Sequence, residues 1–317
     1  MHWSLWCLCV LAGLVILSLL TAFICFRMVF YSKKRKTLGP DEYEIPNGDI
    51  YEVYRDDMIA WTKEIRSMPH EDLEVRSFDG LTLRGKYYEY KAGAPIELLF
   101  HGYRGCAERD LSGGVERCFK LGRNVILIDQ RGSGSSEGHV LSFGINERRD
   151  CHSWVRYAIE RFGDDVKLII GGVSMGAATV MMAAGDPLPE NVIGVLADCG
   201  YTSAEEIIKK VVKEMKLPVK VFYPFIKLGA RIFGRFDLEE TSPIEAMKTC
   251  TLPIVFVHGD DDAFVPYDMS VRLCNACASE KKALITIKGA GHGLAFPADR
   301  DGYVNALADI KEKWNLK

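Results

Sequence analysis

Val166-Lys167-Leu168-Ile169-Ile170-Gly171-Gly172-Val173-Ser174-Met175-Gly176-Ala177-Ala178-Thr179-Val180-Met181-Met182-Ala183-Ala184 is the stretch that decides the fold. Val166–Gly171 has the length and branching of a buried strand, and Ala177–Ala184 reads as a helix of small residues. Between them Gly172-Val173-Ser174-Met175-Gly176 spells G-x-S-x-G. On a strand–turn–helix connection this spacing forces the serine into strained dihedrals, so only glycine-sized neighbours fit around it. The helix N-terminus then aims its dipole and free N–H groups at a reacting oxygen. Ser174 is therefore the expected nucleophile.

Working outward, apolar runs alternate with helix-length segments. Glu74–Ser77 and Leu81–Tyr90 flank Asp79-Gly80, a hairpin turn. Ile96–Phe100, Val125–Ile128, Val192–Ala197, Ile254–Val257 and Ala283–Ile287 read as further strands, with a helix near Ala107–Leu121. The alternation predicts an α/β fold: a mostly parallel central sheet flanked by helices and opened by an antiparallel hairpin.

An elbow serine needs a base, and the base an orienting acid, in the chain order Ser, Asp or Glu, His. Only His258 and His292 follow Ser174. His258 ends an apolar strand and suits packing or a loop bond. His292 lies in the flexible Gly289-Ala290-Gly291-His292-Gly293, so it is the expected base. Asp260, Asp261 and Asp262 all follow His258, and the residues alone leave the acid open among them, with Asp198 as a rival. The oxyanion hole is expected from the backbone N–H of Met175, just after the nucleophile, and of Tyr103, beside Gly102 in the loop after Ile96–Phe100. Arg104 stays open between a structural role and holding a substrate anion.

His101-Gly102-Tyr103-Arg104-Gly105, Asp129-Gln130-Arg131-Gly132-Ser133-Gly134-Ser135-Ser136-Glu137-Gly138, Gly172–Gly176, His258-Gly259-x-x-Asp262-x-x-Val265-Pro266 and Gly291-His292 occur in order. Together they resemble the α/β-hydrolase superfamily, in its Bem46-like and "fermentation/respiration switch protein"-like branch, many members of which carry an N-terminal membrane segment. The resemblance covers residues 72 to 317. It implies Asp262 as the acid and a structural role for the Asp129–Gly138 loop. It also implies the range of activities in that branch: esterases, thioesterases and a few peptidases, needing no metal or organic cofactor.

Ser4–Phe26 carries no charge. Its 23 residues, as a helix, reach about 35 Å, enough to cross a hydrocarbon core of about 30 Å. A cleaved signal peptide would want a basic start, a shorter apolar stretch and a small-x-small exit, none of which is present. Residues 1–31 are thus expected to be an uncleaved anchor, 32–48 a polar linker, and 49–317 the α/β-hydrolase domain. Lys33-Lys34-Arg35-Lys36 flanks the C-terminal side of the apolar stretch, so the positive-inside rule predicts a single pass with the domain on the cytoplasmic face.

Lys and Arg number 40 against 43 Asp and Glu, a formal charge of −3, which argues against a nucleic-acid partner. Cys274-Asn275-Ala276-Cys277 lacks two further ligands at zinc spacing, so no metal is expected. About 55 residues separate the runs ending at Ala197 and starting at Ile254, more than one crossover helix requires. Residues of about 204–236, rich in large apolar side chains and lysines, are expected to form a helical lid over an acyl pocket, with core packing as the alternative. The sequence therefore predicts a membrane-anchored serine hydrolase acting on a small-molecule or lipid-like acyl ester or thioester. Its competitors are a serine peptidase of the prolyl oligopeptidase-like group, which usually carries a large accessory domain, and a catalytically silent membrane-tethered binding protein, which would have lost a catalytic residue.

Overall fold

The computed structural model describes residues 2–33 and 38–315. Eight strands form one sheet: β1 (Glu71–Arg76), β2 (Thr82–Tyr88), β3 (Ile96–Phe100), β4 (Asn124–Asp129), β5 (Leu168–Val173), β6 (Val192–Asp198), β7 (Ile254–Gly259) and β8 (Lys282–Ile287). Their spatial order is β1-β2-β4-β3-β5-β6-β7-β8. β1 and β2 pair antiparallel, β2 meets β4 antiparallel, and every pairing from β4 to β8 is parallel. The hairpin turns where expected, with Gly80 at φ 88°, a region glycine enters without strain.

The helices are α1 (His2–Val29), α2 (Asp49–Glu52), α3 (Arg55–Ser67), α4 (Ala107–Lys120), α5 (Glu147–Phe162), α6 (Met175–Ala184), α7 (Ala204–Glu214), α8 (Val219–Gly229), α9 (Pro243–Met247), α10 (Tyr267–Ala276), α11 (Ala295–Ala298) and α12 (Arg300–Lys313). α6 is buried at every residue, which explains its small, uniformly apolar composition. With α5 it covers one face of the sheet, where Leu98, Ile126, Trp154, Ile170, Val180 and Phe256 share a core. On the other face, Val257, Leu196, Trp61, Phe296 and Tyr303 pack together among α3, α11 and α12.

α1 is the one described helix long and apolar enough to cross a membrane, from Trp3 to Val29. Its C-terminal end does not float on a linker. Phe26 and Phe30 are buried, Tyr31 bridges Val140, and backbone bonds run from Ser32 N–H to His139 O and from Leu141 N–H to Phe30 O. Lys34, Arg35 and Lys36 of the basic run lie outside the described residues.

The insert is helical. Ser203 caps α7 by accepting from Glu206 N–H, α8 follows, and Ala230–Gly234 adds a π-helical turn. α7 buries Ile207, Ile208 and Val212 in the same cluster that takes Tyr223 and Ile226 of α8 and Phe26 and Phe30 from the C-terminal end of α1 and just beyond it. A Cβ on Gly229 would sit 2.5 Å from Ala22 O, so glycine is what lets α8 close onto α1.

Candidate active site

Ser174 sits at the sharp turn between β5 and α6 with φ 56° and ψ −114°, a strained conformation for a residue with a side chain. Its N–H is held by Asp198 O at 2.8 Å across the β5–β6 ladder. The flanking glycines are sterically required. A Cβ at Gly172 would lie 2.2 Å from Gly176 C, and one at Gly176 would lie 2.0 Å from Phe100 O.

The loop after β8 brings His292 over this turn. Its Nε2 lies 2.9 Å from Ser174 Oγ and its Nδ1 lies 2.7 Å from Asp262 Oδ2. Phe264 packs edge-on against the imidazole at 5.0 Å. Asp262 is buried, and its other oxygen, Oδ1, accepts from Phe264 N–H at 2.9 Å and Val265 N–H at 2.8 Å. Burial by itself would raise this carboxyl. The bonds from His258, His292 and the Val265 amide outweigh it and hold the group well below the usual carboxylate range.

The structure thus brings Ser174, Asp262 and His292 together and leaves Asp260 and Asp261 in the outer turn, where Asp260 accepts from Gly289 N–H at 2.6 Å. Asp198 instead accepts from Tyr303 OH at 3.0 Å. Burial pushes its carboxyl up to about 6.

His258 does more than pack. Its Nε2 is 2.9 Å from Val265 O and 3.1 Å from Asp262 Oδ2, while Nδ1 meets Ser270 Oγ at 2.6 Å. It therefore braces the very loop that carries Asp262. The His-Gly-x-x-Asp spacing was the only sequence signal for that contact.

The loop after β3 runs against the nucleophile: a Cβ on Gly102 would touch Ser174 Cβ at 3.6 Å. His101 beneath it is fully buried, and burial lowers its pKa. The neutral ring accepts from Gln130 N–H at 3.1 Å through Nε2 and donates from Nδ1 to Gly102 O at 2.7 Å. Gln130 Nε2 donates to His101 O at 2.6 Å. In the same loop Arg131 clamps Asp150 and Asp79. Tyr103 OH donates to Val29 O at 2.6 Å, and Arg104 donates to Met28 O at 2.7 Å and Tyr31 O at 3.2 Å. The charge of Arg104 thus meets the carbonyl end of α1, at a residue that also lines the cleft. Met175 opens α6, so its N–H has no intrahelical acceptor.

A cleft of about 700 Å³ opens on Ser174 and His292. Leu99, Leu196, Phe296 and Tyr303 line it, as do residues 46–51, including Ile50 and Tyr51. None of its lining residues comes from the insert, whose buried side packs on α1 and the neighbouring cluster. The sequence favoured the insert as the cover, with core packing as its alternative; residues 46–51, at the junction of the expected linker (32–48) and the domain, line the cleft instead.

Comparison with known proteins agrees with this fold. The family profile described as the alpha/beta hydrolase fold matches residues 98–231. Protein bem46 of Schizosaccharomyces pombe is 27% identical over 77% of this chain and 77% of its own length. The uncharacterized protein YqkD of Bacillus subtilis is 26% identical over 62% of this chain, a match that spans 64% of YqkD, just under two thirds. Among solved structures, an esterase of Pyrococcus furiosus superposes with a TM-score of 0.65 at 18% identity, covering 86% of this chain and 97% of that one. The chain thus has the α/β-hydrolase fold, and its similarity runs to Bem46-like members.

Proposed function

We propose that the chain is a membrane-anchored serine hydrolase that cleaves an acyl ester or thioester. The observation that carries this reading is the continuous hydrogen-bond path Ser174 Oγ–His292–Asp262, which opens on a cleft large enough for an acyl group. Ser174 attacks the carbonyl carbon as His292 Nε2 takes its proton. Asp262 keeps the His292 proton on Nδ1 and stabilises the imidazolium. The N–H groups of Met175 and Tyr103 receive the developing oxyanion. His292 then protonates the leaving group, and a water activated by the same histidine releases the acyl chain.

In this proposal residues 1–31 anchor the protein, 32–48 lead into the domain and 49–317 perform the chemistry. α1 spans the membrane once, with the domain cytoplasmic, as Arg27 and Lys33 lie at the domain end of the span. A fluorophosphonate probe tests the nucleophile: wild type should label and Ser174→Ala should not, and labelling that survives would overturn the assignment. A panel of p-nitrophenyl esters, acyl thioesters and aminoacyl amides separates esterase from peptidase. Turnover confined to the amides would favour the peptidase reading.

A further inference from the structure

Three observations about residues 215–235 converge. First, the segment leaves apolar side chains exposed: Val221 is 52% exposed, Ile232 44% and Met215 52%, with Leu228 partly exposed between Val221 and Ile232. Val221, Leu228 and Ile232 follow helical spacing, so they form one stripe. The opposite side, Tyr223, Ile226 and Gly229, is the one that faces the protein. Second, the segment contains Lys216, Lys220, Lys227, Arg231 and Arg235 and no acidic residue, in a chain whose net charge is −3. Lys227 pairs with Glu239, whereas the other four form no ion pair among the described residues.

Third, α8 is fastened to α1 at a definite height. Gly229 closes on Ala22, and Phe233 packs on Phe23 at 5.2 Å and on Phe26 at 5.9 Å. The stretch of α1 before that contact, Trp3–Thr21, is almost wholly exposed. Its 19 residues rise about 28 Å, close to the hydrocarbon thickness of about 30 Å. When that stretch fills the bilayer core, Ala22 and the α8 residues against it fall at the headgroup level.

We propose that residues 215–235 form a second membrane-contact surface, lying in the headgroup layer of an anionic bilayer beside the anchor. Its apolar stripe dips toward the acyl chains and its basic residues meet lipid phosphates. The proposal rests on the reading of α1 as membrane-spanning. It gives the insert a purpose other than covering the cleft. It also fixes the cleft near the bilayer: Tyr103 and Arg104, which line it, bond to Val29 and Met28, about 12 Å further along α1 than Thr21. An ester presented from the membrane surface then has a short path to Ser174.

The test uses the full chain reconstituted into vesicles of phosphatidylcholine alone or of equimolar phosphatidylglycerol and phosphatidylcholine. A photoreactive benzoylphenylalanine is placed singly at Leu14, Val221, Ile232 or Tyr90, the last an exposed control beyond the sheet's hairpin end. Mass spectrometry should find lipid adducts at Leu14, Val221 and Ile232 and none at Tyr90. Lys220→Glu/Arg231→Glu should lower the Val221 and Ile232 yields about tenfold in the anionic vesicles. Lys220→Gln/Arg231→Gln serves as the milder variant and should lower them in the same direction. Adducts at Leu14 but not at Val221 or Ile232 would overturn the surface and leave the anchor standing. Chain-to-chain adducts at Val221 would replace the bilayer with a second copy, and no adduct at Leu14 would remove both readings together.

Discussion

Asp262→Asn is the most informative single change, because the structure dictates how the amide must sit. Oδ1 of Asp262 accepts from two backbone N–H groups, at 2.9 and 2.8 Å. The asparagine must therefore keep its oxygen there, since the reverse orientation would aim NH2 at two donors and lose two buried hydrogen bonds, about 2–6 kcal/mol. Its NH2 then takes the Oδ2 place, 2.7 Å from His292 Nδ1. An NH2 group only donates, so His292 Nδ1 becomes the acceptor and its proton moves to Nε2. That proton points at Ser174 Oγ, 2.9 Å away, and the imidazole no longer takes the serine proton. The expected loss is about 10⁴ in kcat, or about 5 kcal/mol of transition-state stabilisation. Steady-state hydrolysis of a p-nitrophenyl ester by the full chain in detergent measures it, with thermal unfolding run in parallel to show the fold intact. A folded variant whose kcat stays within about tenfold of wild type would refute the tautomer argument. A larger loss in Asp198→Asn than in Asp262→Asn would move the orienting role to Asp198.

Asp198 itself predicts a pH dependence of stability. Its folded carboxyl sits up at about 6 through burial, against about 4 unfolded, so the folded state keeps a proton that the unfolded state has released. Stability from this group is full below about pH 4, declines by about 3 kcal/mol as pH rises to about 6, and is flat beyond. Asp198→Asn should remove that slope in denaturation curves taken across the window, and an unchanged slope would contradict it. Phe26→Ala should cost about 3–5 kcal/mol of stability in detergent, because the ring is buried against Phe30 and Phe233, while Leu14→Ala on the exposed stretch should cost little. Tyr51→Ala should open the cleft's cover and shift kcat/KM toward bulkier esters, and Phe222→Ala should not, because Tyr51 lines the cleft and Phe222 does not. A shift in the second variant alone would restore the insert as the substrate's lid.

Much of this molecule was legible before folding. The elbow has a local signature: Gly172 is required by the backbone of Gly176 four residues on, and Gly176 by the adjacent strand β3, so the G-x-S-x-G spacing announces the turn. Strand runs were found because parallel strands are buried on both faces and read as unbroken apolar segments, although β5 begins at Leu168 rather than Val166. Other features had no local signature. Residues 46–51 straddle the end of the expected linker and the start of the domain, and only the path of the chain brings them to the cleft. Asp260, Asp261 and Asp262 are chemically equal in sequence. The loop geometry turns Asp262 inward to His292 while Asp260 turns out to Gly289.

The sequence by itself determined the α/β-hydrolase fold, the serine at the elbow and an apolar stretch long enough to cross a membrane, because each is written in the order and spacing of neighbouring residues. Only the tertiary structure decided what the insert's apolar face touches. That face meets α1, a segment about 200 residues earlier in the chain, through Gly229 on Ala22 and Phe233 on Phe26. An amphipathic pattern states that a surface must be buried, but its partner is settled by shape and distance in three dimensions.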